Sequence, residues 1–140
     1  MTDLQEALRE TFGLEAFRPR QREVIETVLG GRDVLCVMPT GAGKSLCYQL
    51  PAAVGGGLSI VVSPLISLME DQVQQLRDEG LPAALLNSSL STSLQQQVLA
   101  ELEQGFDGLL YVAPERFKNG GFQSLMRKLK PRLLAIDEAH

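Results

Sequence analysis

Five short apolar runs, separated by segments with helical periodicity, dominate the 140-residue sequence. Each run is as long as one strand and consists mostly of Val, Leu, Ile and Ala, which is typical of strands buried on both faces. Strands that alternate with helices predict repeated strand–helix units and a parallel sheet. The sequence therefore predicts an α/β fold, with strands at residues 34–38, 58–63, 83–87, 109–113 and 133–137.

Segments with apolar residues three and four positions apart predict the helices that cover this sheet. Met69, Val73 and Leu76 form such a face in one segment, which Gly80 ends. Another segment opens with Ser93 and Gln96, the pattern of a capping box. The predicted helices span residues 3–12, 20–29, 44–53, 66–79, 93–104 and 122–129. Neither a long linker nor an internal repeat interrupts this pattern, so we expect one compact unit.

Composition excludes several classes of protein. Hydrophobic residues make up 44% and charged residues 21%, which fits neither a disordered chain nor a membrane protein. The sequence has no apolar stretch of about eighteen residues and no signal-peptide pattern at its start, so we expect an intracellular protein without membrane contact, cytoplasmic or nucleoid-associated, or nuclear in a eukaryote. Two cysteines and one histidine cannot supply four zinc ligands, so no zinc site is expected. The net charge of −4 means that any nucleic-acid binding must be local.

A glycine-rich turn lies between the first predicted strand and a helix. In the Gly-x-x-x-x-Gly-Lys-Ser/Thr loop, backbone N–H groups surround the phosphates, Lys contacts the β- and γ-phosphates, and the hydroxyl binds Mg²⁺. Met38 occupies the first glycine position here, and an ordinary glycine-rich turn is the alternative. Because this turn lies where a predicted strand leads into a predicted helix, it favours a P-loop NTPase. Its candidate ATP-binding residues are Thr40, Gly41, Ala42, Gly43, Lys44 and Ser45.

Two carboxylates, Asp137 and Glu138, follow the last predicted strand. The first suits Mg²⁺, which Ser45 would also hold, and the second suits a general base for the water that attacks the γ-phosphate. A solvated acidic strand end is the alternative. His140, the only histidine, is either structural or couples the nucleotide site to a facing domain.

These segments together resemble the RecQ family of ATP-dependent DNA helicases, within superfamily 2. Residues 12–21 (FGLEAFRPRQ) resemble motif 0 and residues 38–52 (MPTGAGKSLCYQLPA) resemble motif I. Residues 62–73 (VSPLISLMEDQV) resemble motif Ia, and residues 137–140 (DEAH) resemble motif II. The motifs extend over the whole chain. The resemblance implies a RecA-like three-layer sandwich with a mainly parallel sheet.

The resemblance also implies how the adenine base of ATP is bound. Gln21 would pair with the N6 and N7 edge of adenine, because a carboxamide offers one donor and one acceptor group. Arg18 would lie over the base, and Leu14 supplies an apolar contact where many members carry an aromatic residue. A hydrophobic contact ahead of a helix is the alternative for this segment.

The ends of the second, third and fourth predicted strands resemble the rim on which these helicases hold single-stranded DNA. Short hydroxyls, amides and backbone N–H groups bind phosphates without reading bases, although a helix cap or turn uses the same residues. Residues 115–132 also hold six cations against one carboxylate, which is either a DNA contact or a solvated helix face. The candidate DNA-binding residues are Ser63, Pro64, Leu65, Ser67, Asn87, Ser88 and Arg116, the last within a motif Ib-like segment at residues 113–116.

The mechanism implied by the resemblance requires a second RecA-like domain that supplies an arginine finger. We expect residues 1–140 to be the N-terminal part of the first such domain, lacking a strand from its sheet, with the second domain and any C-terminal regions elsewhere. The parent would move 3′ to 5′ on single-stranded and forked DNA, using ATP and Mg²⁺, in recombination and repair. An RNA-directed superfamily 2 ATPase, a small metabolite kinase and a non-catalytic nucleotide-binding fragment are the alternatives.

Overall fold

A computed structural model describes residues 3–34 and 43–137 of the chain. These residues form two compact units, divided between Gly56 and Gly57. The prediction of one compact unit is therefore replaced by two, each described separately. The predicted strand at 34–38 lies almost wholly outside the described residues, and Val34 itself is not in a strand.

The first unit consists of three helices, α1 (Leu4–Phe12), α2 (Gln21–Leu29) and α3 (Leu46–Gly55). Their buried faces meet in a small core that includes Leu8, Ile25 and Leu50, all fully buried. Asp3 caps α1, because its side chain accepts a hydrogen bond from Gln5 N. The periodicity of apolar residues had placed all three helices within two residues of these bounds.

The start of α2 differs from the prediction by one residue. Arg20 has φ 71°, which is left-handed and cannot belong to a right-handed helix. The backbone bends at Arg20, and the helix therefore begins at Gln21, the last residue of motif 0. The prediction that α3 starts at residue 44 is also early, because Lys44 and Ser45 form a turn before Leu46.

The second unit contains a four-stranded sheet with β1 (Ser59–Val62), β2 (Ala83–Leu86), β3 (Leu109–Val112) and β4 (Leu133–Ile136). The strand order is β2-β3-β1-β4, and every pairing is parallel. All four strands lie within the predicted ranges. The parallel sheet and its helices confirm the α/β prediction.

Helices of this unit connect the strands as α4 (Ile66–Asp78), α5 (Thr92–Glu103) and α6 (Gly120–Leu129), with a short 3₁₀ helix at Pro114–Lys118. Ile60 and Val112 of the sheet share a core with Leu102 of α5 and Phe122 of α6. The step from β1 to β2 runs toward one edge of the sheet and the next two steps run back. Right-handed crossovers therefore place α4 on the face opposite α5 and α6.

The predicted capping box at the start of α5 is wrong. Ser91, not Ser93, is the cap: it has extended backbone angles and its hydroxyl accepts a hydrogen bond from Leu94 N at 3.2 Å. Ser93 already lies in the first turn. Similarly, α6 begins before the predicted residue 122, because the Asn119 side chain accepts a hydrogen bond from Phe122 N at 3.0 Å.

Within residues 3–34 and 43–137, no helix is long and apolar enough to cross a membrane.

Candidate functional site

Gln21 connects motif 0 to the last glycine of the phosphate loop. Its Oε1 accepts a hydrogen bond from Arg18 N at 2.7 Å, and its Nε2 donates one to Gly43 O at 2.9 Å. The side chain is buried, with 3% of its surface exposed. A carboxamide has two donor hydrogens and two acceptor lone pairs, so one of each is left for a ligand after these two bonds.

Gly43 is the position where this contact is closest. Its φ is 78°, a left-handed value that favours glycine, and a Cβ added there would overlap Gln21 Nε2. The Arg18 side chain lies alongside, with its Cδ 3.6 Å from that position. The structure thus brings together three of the predicted ATP-binding residues. Leu14, a fourth, is 45% exposed.

Lys44 and Ser45 follow directly and lead into α3. Ser45 O accepts a hydrogen bond from Gln49 N at 2.9 Å, so the chain turns into the helix at once. This agrees with the expected loop-to-helix geometry, in which free N–H groups at the helix start attract anions. Thr40, Gly41 and Ala42 lie outside the described residues.

The carboxyl ends of the four strands form one row in the second unit. Leu86, Val112, Val62 and Ile136 are paired in register across the sheet. The residues that follow them therefore lie along one edge, where ligands of open parallel sheets bind. In sheet order these residues are Asn87, Ala113, Ser63 and Asp137.

Ser63 is buried at this edge and its hydroxyl accepts a hydrogen bond from Leu65 N at 3.3 Å. Pro64, Leu65 and Ser67 after it are exposed at the start of α4. Asp137 N donates to Val62 O at 2.8 Å, which holds the first motif II carboxylate beside β1. Glu138 and His140 lie outside the described residues.

Asn87 shapes the turn after β2. Its Oδ1 accepts a hydrogen bond from Ser89 N at 2.8 Å, an Asx turn that leaves Ser88 exposed. Asn87 is 4% exposed, and its Nδ2 has no hydrogen-bond partner among the described residues. The turn thus holds a buried donor group without an acceptor.

Arg116 is held by two residues that sequence reasoning had missed. Its NH1 donates to Gln95 Oε1 at 3.3 Å, and its guanidinium lies 5.6 Å from the centre of the Phe122 ring. Its Nε is buried and has no hydrogen-bond partner within residues 3–34 and 43–137. These contacts join three separate elements, and no spacing in the sequence signals them.

Among residues 3–34 and 43–137, no group of three or more His, Cys, Asp or Glu side chains could hold a metal ion. Motifs I and II predict that Ser45 and Asp137 bind Mg²⁺, and the structure describes both residues. A hydroxyl and a carboxylate are the oxygen donors that this ion prefers. Their joint use stays a prediction.

Comparison with known proteins identifies close relatives. The chain is 50% identical over 139 residues to an ATP-dependent DNA helicase RecQ of Synechocystis, covering 98% of this chain and 29% of the relative. It is 51% identical over 133 residues to the RecQ helicase of Haemophilus influenzae, covering 95% and 22%. The chain thus spans less than a third of these relatives. The resemblance to RecQ helicases is confirmed.

Solved structures and family models agree with the fold. A crystal structure of a hypothetical ATP-dependent RNA helicase from Sulfolobus tokodaii matches with a TM-score of 0.74 and 23% identity, over 97% of this chain and 40% of that one. At this identity the match shows the fold alone, and it confirms the expected α/β architecture. The family model for DEAD/DEAH box helicases matches residues 18–140. Because this match extends over most of the sequence, the chain belongs to the DEAD/DEAH box helicase family.

Proposed function

We propose that the full-length protein is an ATP-dependent DNA helicase of the RecQ type that moves 3′ to 5′ along single-stranded DNA and separates forked duplexes, within the cell, in recombination and repair. The similarity to RecQ helicases supports the choice of DNA. The observation that carries the proposal is the contact of Gln21 with Gly43, because it joins the side chain that we expect to bind adenine to the phosphate loop. Residues 1–140 would be the N-terminal part of the first RecA-like domain, carrying motifs 0, I, Ia, Ib and II.

The described residues fit ATP. Gln21 retains one donor and one acceptor for the adenine edge, and Arg18 extends beside Gly43, where it could lie over the base. The absence of a side chain at Gly43 lets the Gln21 amide approach the backbone of the phosphate loop. Lys44 would stabilise the β- and γ-phosphates.

Magnesium, when bound, neutralises charge on the phosphates. Ser45 and Asp137 would hold it through hydroxyl and carboxylate oxygens. Glu138 would accept the proton of the attacking water, and His140 would couple this site to the second domain.

The row at the carboxyl edge of the sheet supports a DNA track. Ser63, Asn87 and Arg116 lie at the ends of three neighbouring strands and offer short polar groups and one cation, which suits binding of phosphates without base reading. Asn87 Nδ2 and Arg116 Nε are buried donor groups that have no partner among the described residues. Pro64, Leu65, Ser67 and Ser88 would form the exposed surface around them.

The test is a Glu138→Gln variant of the full-length protein. We expect magnesium–ATP binding to persist and turnover stimulated by single-stranded DNA to fall at least a hundredfold, because the general base is lost. Binding is measured with fluorescent ATP and turnover by phosphate release. Normal turnover in this variant would refute the assignment of Glu138.

Unwinding assays on matched DNA and RNA duplexes decide the substrate. We expect DNA unwinding from a 3′ overhang, and preference for RNA would support the RNA-directed alternative. A protein whose ATPase does not respond to single-stranded DNA would contradict the helicase proposal as a whole.

A further inference from the structure

A groove lies along the outer edge of β2, between α4 and α5. β2 is an edge strand of the described sheet. The cavity has a volume of about 370 Å³. Its floor is apolar, formed by Val73 of α4, Leu85 of β2 and Val98 of α5. Leu94 projects at its side and is 49% exposed, so the groove presents apolar surface to solvent.

The polar side chains around this floor are two carboxylates, two amides (Gln74 and Gln97) and one guanidinium. Glu70 and Glu101 line the groove from opposite helices, and both are exposed. Arg77 is the one cation among the described lining residues, and its Nε is engaged, donating to Ala83 O at 2.9 Å. A positive ligand would therefore meet carboxylates on both sides.

The segment that contains the groove is also strongly acidic. Residues 66–103 contain six carboxylates and one cation, a net charge of −5 in a chain whose total is −4. Such a surface repels nucleic-acid phosphates. The groove is therefore unsuited to the DNA track proposed above and calls for a different kind of ligand.

The edge of β2 offers backbone groups as well. Pro82 O accepts from Leu109 N of β3, so that carbonyl faces into the sheet. Backbone groups alternate along a strand, which directs Ala83 and Leu85 outward. Arg77 occupies the Ala83 carbonyl, so an incoming chain would meet the edge at Leu85.

We propose that this groove binds an extended protein segment that carries both apolar side chains and lysine or arginine. The apolar side chains would lie on Leu85, Val98 and Leu94, and the cations would face Glu70 and Glu101. The backbone of the segment would pair with Leu85, as in other cases where a peptide adds to a sheet edge. The full-length protein would thereby recruit a basic protein partner in a groove whose lining includes none of the proposed DNA-binding residues.

The test uses the full-length protein and a phage-displayed library of random decapeptides, selected in the presence of excess single-stranded DNA. We expect enrichment of peptides that combine apolar and basic residues. Synthetic copies of the enriched peptides should bind at least tenfold more weakly to Glu101→Lys and to Leu94→Ser, and more weakly at high salt.

Glu103→Lys is the matched control, because it makes the same charge change on an exposed position of the same helix that does not line the groove. We expect its peptide affinity to equal that of the parent, and DNA-stimulated ATPase to be unchanged in all three variants. The proposal is overturned if no basic–apolar peptide is enriched, or if affinity falls equally in Glu101→Lys and Glu103→Lys. It is also overturned if the groove instead mediates self-association, seen as a monomeric Glu101→Lys variant of an oligomeric parent in analytical ultracentrifugation.

Discussion

At the scale of single residues, Gly43 combines two separate constraints. Its left-handed φ of 78° disfavours any side chain, and the Gln21 amide occupies the space that a Cβ would need. Gly13 has a similar φ of 67° but no atom within 4 Å of its Cβ position. Substitutions at these two glycines therefore distinguish the effect of backbone strain from the effect of losing the contact with Gln21.

We predict that Gly13→Ala lowers the free energy of unfolding by about 1–2 kcal/mol, through strain alone. Gly43→Ala should add displacement of Gln21 and weaken ATP binding at least tenfold. Thermal unfolding and ATP titration of the full-length variants measure both effects. Equal ATP affinities in the two variants would show that the Gln21–Gly43 contact does not support nucleotide binding.

Single residues also show which contacts cannot be predicted from the sequence. That Arg18 and Gln21 lie beside the phosphate loop was predictable from the motifs, and their contacts with ATP stay predictions. Gln95 and Phe122 were not predictable, because they hold Arg116 through contacts between distant segments. Local periodicity carries no information about such pairs.

At the scale of elements, the cap of α5 distinguishes two serines that satisfy the same local pattern. Ser91→Ala should lower the free energy of unfolding by about 1 kcal/mol, because Leu94 N loses its acceptor. Ser93→Ala is the control and should change it by less than about 0.5 kcal/mol, because Ser93 is exposed within the helix. Chemical denaturation compares the two, and a larger loss in Ser93→Ala would restore the capping box at Ser93.

Glu79, the residue that follows α4, is expected to make the stability of the fold depend on pH. Burial raises the pKa of Glu79 above its ordinary value of 4.5; the Gln75 hydrogen bond opposes this shift, and the charge of Asp78 adds to it. The folded state thus keeps this proton to higher pH than the unfolded state, so the contribution of Glu79 to stability is lost as pH rises through and above 4.5.

Relative to the parent, Glu79→Gln should therefore gain stability between pH 4 and pH 7. Urea denaturation across this range measures the gain, and Glu103→Gln at an exposed position serves as the control. A difference that is constant with pH would contradict this account of Glu79.

Element bounds were predictable where burial dictates them. The strands follow apolar runs and fall within the predicted ranges, since both faces of the sheet need apolar side chains. The starts of α2 and α6 depend instead on the φ of Arg20 and on the Asn119 cap, which lie outside the helical periodicity.

At the scale of the whole molecule, β4 stands out. Leu134 and Ile136 are 57% and 60% exposed, and they line an apolar cavity of about 640 Å³ with Phe117 and Leu65. They are in register with Ile60 and Val62, so they belong to the face that α5 and α6 cover elsewhere. Exposed apolar surface on an edge strand favours association between copies.

We predict that the 140-residue chain self-associates at micromolar concentration and that Leu134→Lys with Ile136→Lys reduces this association. Light scattering after size-exclusion chromatography measures the mass. Gln96→Lys with Gln104→Lys adds the same charge at exposed polar positions and should leave the mass unchanged. If both double variants become equally monomeric, net charge rather than the β4 surface controls association.

The strand order also determines when the sheet can be completed during synthesis. β1 lies between β3 and β4, so its two neighbours leave the ribosome long after it does. Until residue 136 emerges, Ile60 and Val62 of a nascent chain can pair with β3 on one side but lack β4 on the other. Slow, long-range pairing of this kind leaves a strand open to wrong partners, so translation speed and chaperones between residues 62 and 136 would govern the yield of correctly folded protein.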